Sequence, residues 1–250
     1  HFMTFDPTQY FKKLSVLDKG YIELCDAMLM DPRLKIVNAA RVSYNKQSET
    51  YSEKDSKLVK FLYQHGHFST YRHSSFTFRI KAPLFVFRQW WKYQIGSSWI
   101  HDDLDGIETN SVSIKIPDTS WNEVSGRYVE LSDDFYIPDV FRKQSKVNKQ
   151  GSEGEIDVLN DGTNVRQYFI DSCQHSYNMY KTLTDSGVAK EIARAMLPQN
   201  VYSECIWTPS LETILHFFEQ RLKPEAQYEI REYAVKMEEI LSPLLGDIYK

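Results

Sequence analysis

The segment Trp121-Asn122-Glu123-Val124-Ser125-Gly126-Arg127-Tyr128 gathers an acid, a hydroxyl, a glycine and a guanidinium within eight residues. On an extended chain side chains alternate, so Glu123, Ser125 and Arg127 would share one side. Such a row can accept a hydrogen bond, offer a hydroxyl and clamp a phosphate, whose paired oxygens match the planar guanidinium fork. Gly126 would let another group approach the backbone closely. A solvated edge strand gives the same pattern, and on these residues alone both readings stay open. Arg221 follows Ile214 by seven positions and Phe218 by three. That places a charge on or beside an apolar helical stripe, where it needs a partner or a ligand; the alternative is a last-turn arginine that complements the helix dipole. Arg194 sits in Ile192-Ala193-Arg194-Ala195-Met196-Leu197, whose small residues admit something large against its head group, unless it is a snorkelling surface arginine. His65-Gly66-His67 and His73 have no carboxylate or thiol nearby in sequence and read as ordinary turn histidines, so no metal site is expected. His216, four residues after Glu212 and four before Gln220, is either part of a polar helix face or a cofactor contact. Gly-rich phosphate loops, a dinucleotide fingerprint and a Ser-His-Asp signature are missing, so no Rossmann unit is expected.

The elements that must position these groups are partly legible. Strict alternation from Ser75 to Lys81, with Phe76, Phe78 and Ile80 on one side, predicts a half-buried strand. Pro83 then opens a helix through Trp91. Helices are expected at Arg33–Val42, at Glu53–His65 with Gly66 as its left-handed cap, at Val165–Ser186 closed by Gly187, and at about Ala189–Val201. Pro209 opens another helix, with Leu211, Ile214, Leu215, Phe218 and Leu222 on one face; Pro224 opens the last, with Ile230, Ala234, Met237 and Leu241 inward. Trp121–Leu131 is expected to be extended. Ile100–Ser120 reads as an inserted loop with a short strand at Val112–Ile116, and Arg142–Thr163 as a mobile polar loop. The expected architecture is α+β, a helix-rich single domain over residues 3–250 with one antiparallel sheet, His1-Phe2 being set aside as a cloning remnant.

Composition narrows the function classes. The 250 residues suffice for a substantial core without disulfides or metals. A net charge of −4 gives no global field toward nucleic acid or an acidic membrane, so phosphate recognition must come from a few placed arginines. Cys25, Cys173 and Cys205 are sparse and unpaired in spacing, which suits a reducing cytoplasm. The longest apolar run, Ala82 to Phe87, is far below the roughly 18–20 residues of a membrane span.

Taken in order, these segments resemble the flavin-dependent thymidylate synthases over nearly the whole chain. The resemblance runs through Val16-Leu17-Asp18-Lys19-Gly20, Ala39-Ala40-Arg41-Val42-Ser43, His65-Gly66-His67, His73, Phe76-Thr77-Phe78, Lys81-Ala82-Pro83 and Arg88-Gln89-Trp90. It continues through Asn122–Tyr128, Phe135-Tyr136-Ile137-Pro138, Ala193-Arg194, Leu197-Pro198, Asn200, Trp207 and Arg221. The chain departs from the family signature twice: Lys92-Tyr93-Gln94 stands where Arg-His-Arg is usual, and the Ile100–Ser120 insert splits the signature. Lys92 keeps a positive charge without the bidentate geometry of arginine.

The resemblance implies that the chain converts dUMP to dTMP, with methylenetetrahydrofolate as carbon donor and NADPH-reduced FAD as hydride donor. It implies the fold of that family and a homotetramer with sites between subunits. It assigns Gln89, Glu123, Ser125, Gly126, Arg127, Arg194 and Arg221 to dUMP, with Arg127 and Arg194 on the phosphate and Arg221 facing the uracil as the catalytic electrostatic group. It assigns Ser69, Lys92, Tyr93, Gln94, Glu123 and His216 to FAD. Two rivals carry different expectations: a related flavin and folate enzyme acting on another pyrimidine nucleotide, and a non-catalytic nucleotide-binding homologue.

Overall fold

The structure, a computed structural model, describes residues 5–93, 120–246 and 248–249. Seven strands are described: β1 (Lys13–Val16), β2 (Gly20–Ala27), β3 (Phe76–Pro83), β4 (Trp121–Glu123), β5 (Arg142–Gln144), β6 (Ser152–Glu155) and β7 (Tyr202–Trp207). Five of them build the central antiparallel sheet in the order β1-β2-β3-β7-β4, with β1 and β2 joined as a hairpin. The alternation predicted for β3 holds, with Phe76, Phe78 and Ile80 all buried. β5 and β6 form a separate two-stranded hairpin within the stretch expected to be a polar loop. Gln94 and all of the insert except Ser120, including the expected strand at Val112–Ile116, lie outside the described residues.

Seven α-helices are described: α1 (Pro32–Arg41), α2 (Glu53–Gln64), α3 (Leu84–Trp90), α4 (Val165–Asp185), α5 (Lys190–Ala193), α6 (Leu211–Arg221) and α7 (Tyr228–Leu245). Gly66 and Gly187 take φ of 70° and 86° just past α2 and α4, the left-handed conformation that stops a helix. The inward faces of α6 and α7 follow the predicted periodicity: Leu211, Ile214, Leu215 and Phe218, then Ile230, Ala234, Met237 and Leu241, are all buried, while Leu222 falls just past the end of α6 and is half-buried. They close the main core over the sheet together with Trp90, Trp207 and Phe217.

Local structure differs from the sequence expectation at further places. Pro209 lies before the Ser210 cap of α6 rather than opening the helix. Pro83 ends β3 and caps α3 rather than entering it. The helix expected from Ala189 stops at Ala193, passes through a 3-10 turn at Arg194–Met196, and gives way at Tyr202 to β7, which is central in the sheet. Trp121–Leu131 is extended only over β4 before it turns. Pro224 lies in a turn that precedes α7. The β1–β2 hairpin is invisible to the sequence pattern. A second, smaller core of Phe135, Cys173, Tyr180, Ala193, Leu197 and Val201 forms beneath α4 and α5.

Candidate active site

Where α3, β4, β7 and the Arg194 turn meet, they enclose an open cleft of about 800 Å³. Gln89 reaches it from the last turn of α3, next to Trp90, whose burial fixes the helix. Lys92 follows just after the helix end. Glu123, the last residue of β4, lines the cleft and is held from behind, because Ser203 Oγ of β7 donates to Glu123 Oε1 at 2.6 Å. After Glu123 the chain turns, with Tyr128 N donating to Ser125 O at 3.0 Å, so Glu123, Ser125 and Arg127 do not form the single row that an extended strand would give.

The turn brings Gly126 against Arg194. A Cβ at Gly126 would lie 3.3 Å from Arg194 Cδ and 3.0 Å from Leu131 Cδ1, closer than carbon contacts normally allow. The missing side chain is what admits the arginine stem. Arg194 itself is exposed along the cleft, and no described residue pairs with its guanidinium. Arg127 stands at the rim, where its Nε is 3.2 Å from Glu191, a cleft-lining carboxylate. Tyr202 also borders the cleft, and its hydroxyl donates to Asp18 at 2.5 Å. Burial and then that bond raise the Tyr202 phenol far above its ordinary value.

A second group of predicted residues gathers around α6. Tyr93 is buried, packs edge-on against Phe217 at 5.1 Å and lies 5.6 Å from the His216 ring. The Arg221 guanidinium lies 5.4 Å from the Tyr93 ring centre, and Arg221 Nε is buried with no acceptor among the described residues. A buried guanidinium N–H without a partner costs free energy unless a ligand completes it. Burial raises the Tyr93 phenol, and Arg221 opposes that shift without cancelling it. Ser69 is exposed on a 3-10 turn, Phe68–His73, that packs against α6, anchored there by Arg72 to the buried Glu212.

The predicted residues thus fall into two groups. Gln89, Lys92, Glu123, Gly126 and Arg194 share the cleft, with Arg127 at its rim, while Tyr93, His216, Arg221 and Ser69 belong to the α6 side and do not line it; Ser125, whose hydroxyl accepts the Arg127 N–H at 3.3 Å, lies in the turn and does not line the cleft either. Sequence reasoning misses Glu191, Tyr202 and Ser203, because it reads the approach to β7 as helix. It also misses Gln227, whose side chain takes the Gln89 amide at 2.5 Å. Of the turn histidines, His65 stacks on Phe61 with ring centres 4.0 Å apart.

Residues 23–245 match the family described as thymidylate synthase complementing protein. A flavin-dependent thymidylate synthase of Thermus thermophilus is 40% identical over 228 residues, covering 91% of this chain and 73% of that protein. One from Thermosipho africanus is 38% identical over 229 residues, covering 90% and 87%. Among solved structures, the UMP/dUMP methylase PolB from Streptomyces cacaoi bound with 5-Br dUMP superposes with a TM-score of 0.73 at 26% identity, covering 94% of this chain and 97% of that one.

Proposed function

The chain belongs to the thymidylate synthase complementing protein family, and from that premise we propose that it is a flavin-dependent thymidylate synthase that methylates dUMP at C5 to give dTMP. The observation that carries this reading is the convergence of Gln89, Glu123 and Arg194 on one cleft, with Gly126 shaped to admit the arginine. Arg194 and Arg127 hold the phosphate, and Arg127 exchanges Glu191 for the substrate's oxygens. Gln89, Glu123 and Ser125 fix the nucleoside.

Protein nucleophiles suited to attack the uracil are lacking among the described residues of the cleft. Cys173 and Cys205 are buried outside it, and Cys25 is exposed on β2. Burial, then Glu123, push the Cys205 thiol well above its ordinary value, which keeps it from being a thiolate. The Ser203 hydroxyl is committed to Glu123. Catalysis by the protein therefore rests on positioning and on stabilising negative charge as it develops on the uracil, the role of Arg221.

The Tyr93 and His216 side of α6 fits FAD, the two rings suiting a flat partner, while the unpartnered Arg221 Nε suits an acceptor on the uracil. Ser69, Lys92, Gln94 and Glu123 complete the proposed contacts. When bound, FAD reduced by NADPH supplies the hydride that completes the methyl group, while methylenetetrahydrofolate supplies the carbon. Since the two groups of site residues do not line one cleft, a homotetramer in which the cleft of one copy meets the α6 side of another accounts for both. A light-scattering mass of a single chain contradicts that assembly.

Product analysis tests the reaction itself. With FAD, NADPH and methylenetetrahydrofolate supplied, dUMP should yield dTMP, and dCMP should remain unmethylated. Methylation of dCMP in preference to dUMP would replace this reading with that of another pyrimidine nucleotide.

A further inference from the structure

Gln89 does not stand alone in the cleft. Its Nε2 donates to Gln227 Oε1 at 2.5 Å, and Gln227 Nε2 donates to Glu229 Oε2 at 2.9 Å. Glu229 is buried, and its other oxygen accepts Arg142 Nη2 at 2.7 Å and the Tyr136 hydroxyl at 3.2 Å. Gln227 is the N-cap residue of α7, yet its side chain makes no capping bond. Short Ser, Thr, Asp and Asn side chains serve the free N–H groups at that position, and the longer Gln is left for other partners. This one is stretched between a cleft residue and a buried carboxylate instead.

The chemistry of the end group fixes the sense of the chain. With Arg142 against it, Glu229 is a carboxylate and can only accept. Burial, then the Glu229 charge, raise the Tyr136 phenol far above its ordinary value, so that hydroxyl stays a donor. Gln227 must therefore turn its NH₂ to Glu229 and its carbonyl to Gln89. Gln89 must in turn give an N–H to Gln227. Among the described residues nothing donates to Gln89 Oε1. The opposite orientation of either amide would set two acceptors, or two donors, face to face.

We propose that Glu229 and Gln227 are positioning residues that set the polarity of Gln89, so that the cleft offers its nucleotide a carbonyl acceptor at this point. The proposal rests on the reading of the cleft as a dUMP site. The nucleotide group that it selects is a donor, such as the uracil N3–H, which cytosine lacks. Arg142 extends the relay to the β5–β6 hairpin, so the hairpin's ion pair to Glu229 becomes part of the specificity apparatus.

A reversal experiment separates this role from a structural one. In Glu229→Gln, Arg142 and Tyr136 keep the remaining carbonyl oxygen, so the new NH₂ faces Gln227. Gln227 then flips, Gln89 flips after it, and the cleft presents a donor. In Gln89→Glu alone, a carboxylate meets the Gln227 carbonyl. Together the two changes agree: the carboxylate introduced at position 89 accepts from the flipped Gln227 and returns an acceptor to the cleft. The Kd for dUMP, titrated in the presence of FAD, should rise about tenfold or more in each single variant, which is one hydrogen bond at about 1.4 kcal/mol. The double variant should return to within about threefold of the parent. Additive loss in the double variant, or unaltered affinity in Glu229→Gln, would overturn the relay while leaving the dUMP site in place. A parent chain that binds no dUMP would instead overturn the nucleotide reading, and the relay with it. Gln89→Glu leaves Glu229 and its ion pair untouched, so unaltered dUMP affinity in that variant also counts against the relay, whatever the folding of Glu229→Gln.

Discussion

Replacing Gly126 with alanine puts a methyl group 3.0 Å from Leu131 Cδ1 and 3.3 Å from Arg194 Cδ. Comfortable carbon contacts lie at about 3.5–4.0 Å, so one neighbour must move by a few tenths of an ångström. Leu131 is the stiffer of the two: its N–H is bonded at 3.1 Å to the hydroxyl of Tyr180, which is fully buried. Arg194 is exposed, so its stem yields and its guanidinium swings further than its Cδ. A hydrogen bond to a charged group contributes about 1.5–3 kcal/mol, and losing roughly half of one costs about 1 kcal/mol, or about fivefold in affinity. The effect should be confined to the phosphate. Calorimetric titration should therefore show dUMP weakened about fivefold, deoxyuridine unchanged, and a melting temperature within a few degrees of the parent. Equal weakening of dUMP and deoxyuridine, or an unaltered dUMP affinity, would refute the placement of Arg194 on the phosphate.

Arg221→Ala should lower kcat by about 10²–10³ while weakening FAD far less, since its charge acts on the developing uracil anion; proportional losses in kcat and FAD affinity would sink that role. Asp55 is buried against Arg41, with Ser52 as its other partner. Burial raises its pKa, but the Ser52 bonds and the Arg41 charge outweigh it and hold the carboxyl below the ordinary aspartate range. A depressed folded-state pKa contributes stability above the unfolded value that is lost as pH falls through the folded one. Asp55→Asn should thus cost about 1–3 kcal/mol at pH 7 by urea denaturation, with the gap closing below about pH 4. A gap independent of pH would contradict the assignment. Gly20→Ala should destabilise by about 2–4 kcal/mol, because its Cβ collides with the Tyr233 hydroxyl and lies 2.7 Å and 2.8 Å from the Lys81 and Val16 carbonyl oxygens. A melting temperature equal to the parent's would show that the β1–β2 hairpin is looser than drawn.

What the sequence discloses follows from where periodicity survives. α7 buries one face, so its stripe is clean; α6 keeps its apolar spacing although Leu211 through Leu215 are all buried; and Gly66 and Gly187 mark the ends of α2 and α4 by their left-handed conformation. β7 is hidden because residue type does not follow its burial: burial alternates from Ser203 to Trp207, but polar Ser203 is buried while apolar Ile206 is exposed. The β1–β2 hairpin is hidden for another reason. Its turn puts Leu17 at φ 58°, without the glycine or asparagine that announces such turns, and a register shift at Leu24/Asp26 interrupts the alternation of β2. Within the site, the cleft residues can be named from their order along the chain. Their division between the cleft and the α6 side cannot, because Lys92 and Tyr93 are adjacent in sequence and face different neighbours. Gln227 and Glu229 carry no signal, since a polar residue beside a helix start looks like any cap.

The most direct measurement is tritium release from 5-tritiated dUMP with FAD, NADPH and methylenetetrahydrofolate supplied. The account predicts release that requires the folate, because substitution at C5 displaces that hydrogen. Folded, FAD-loaded protein that releases no tritium would contradict it.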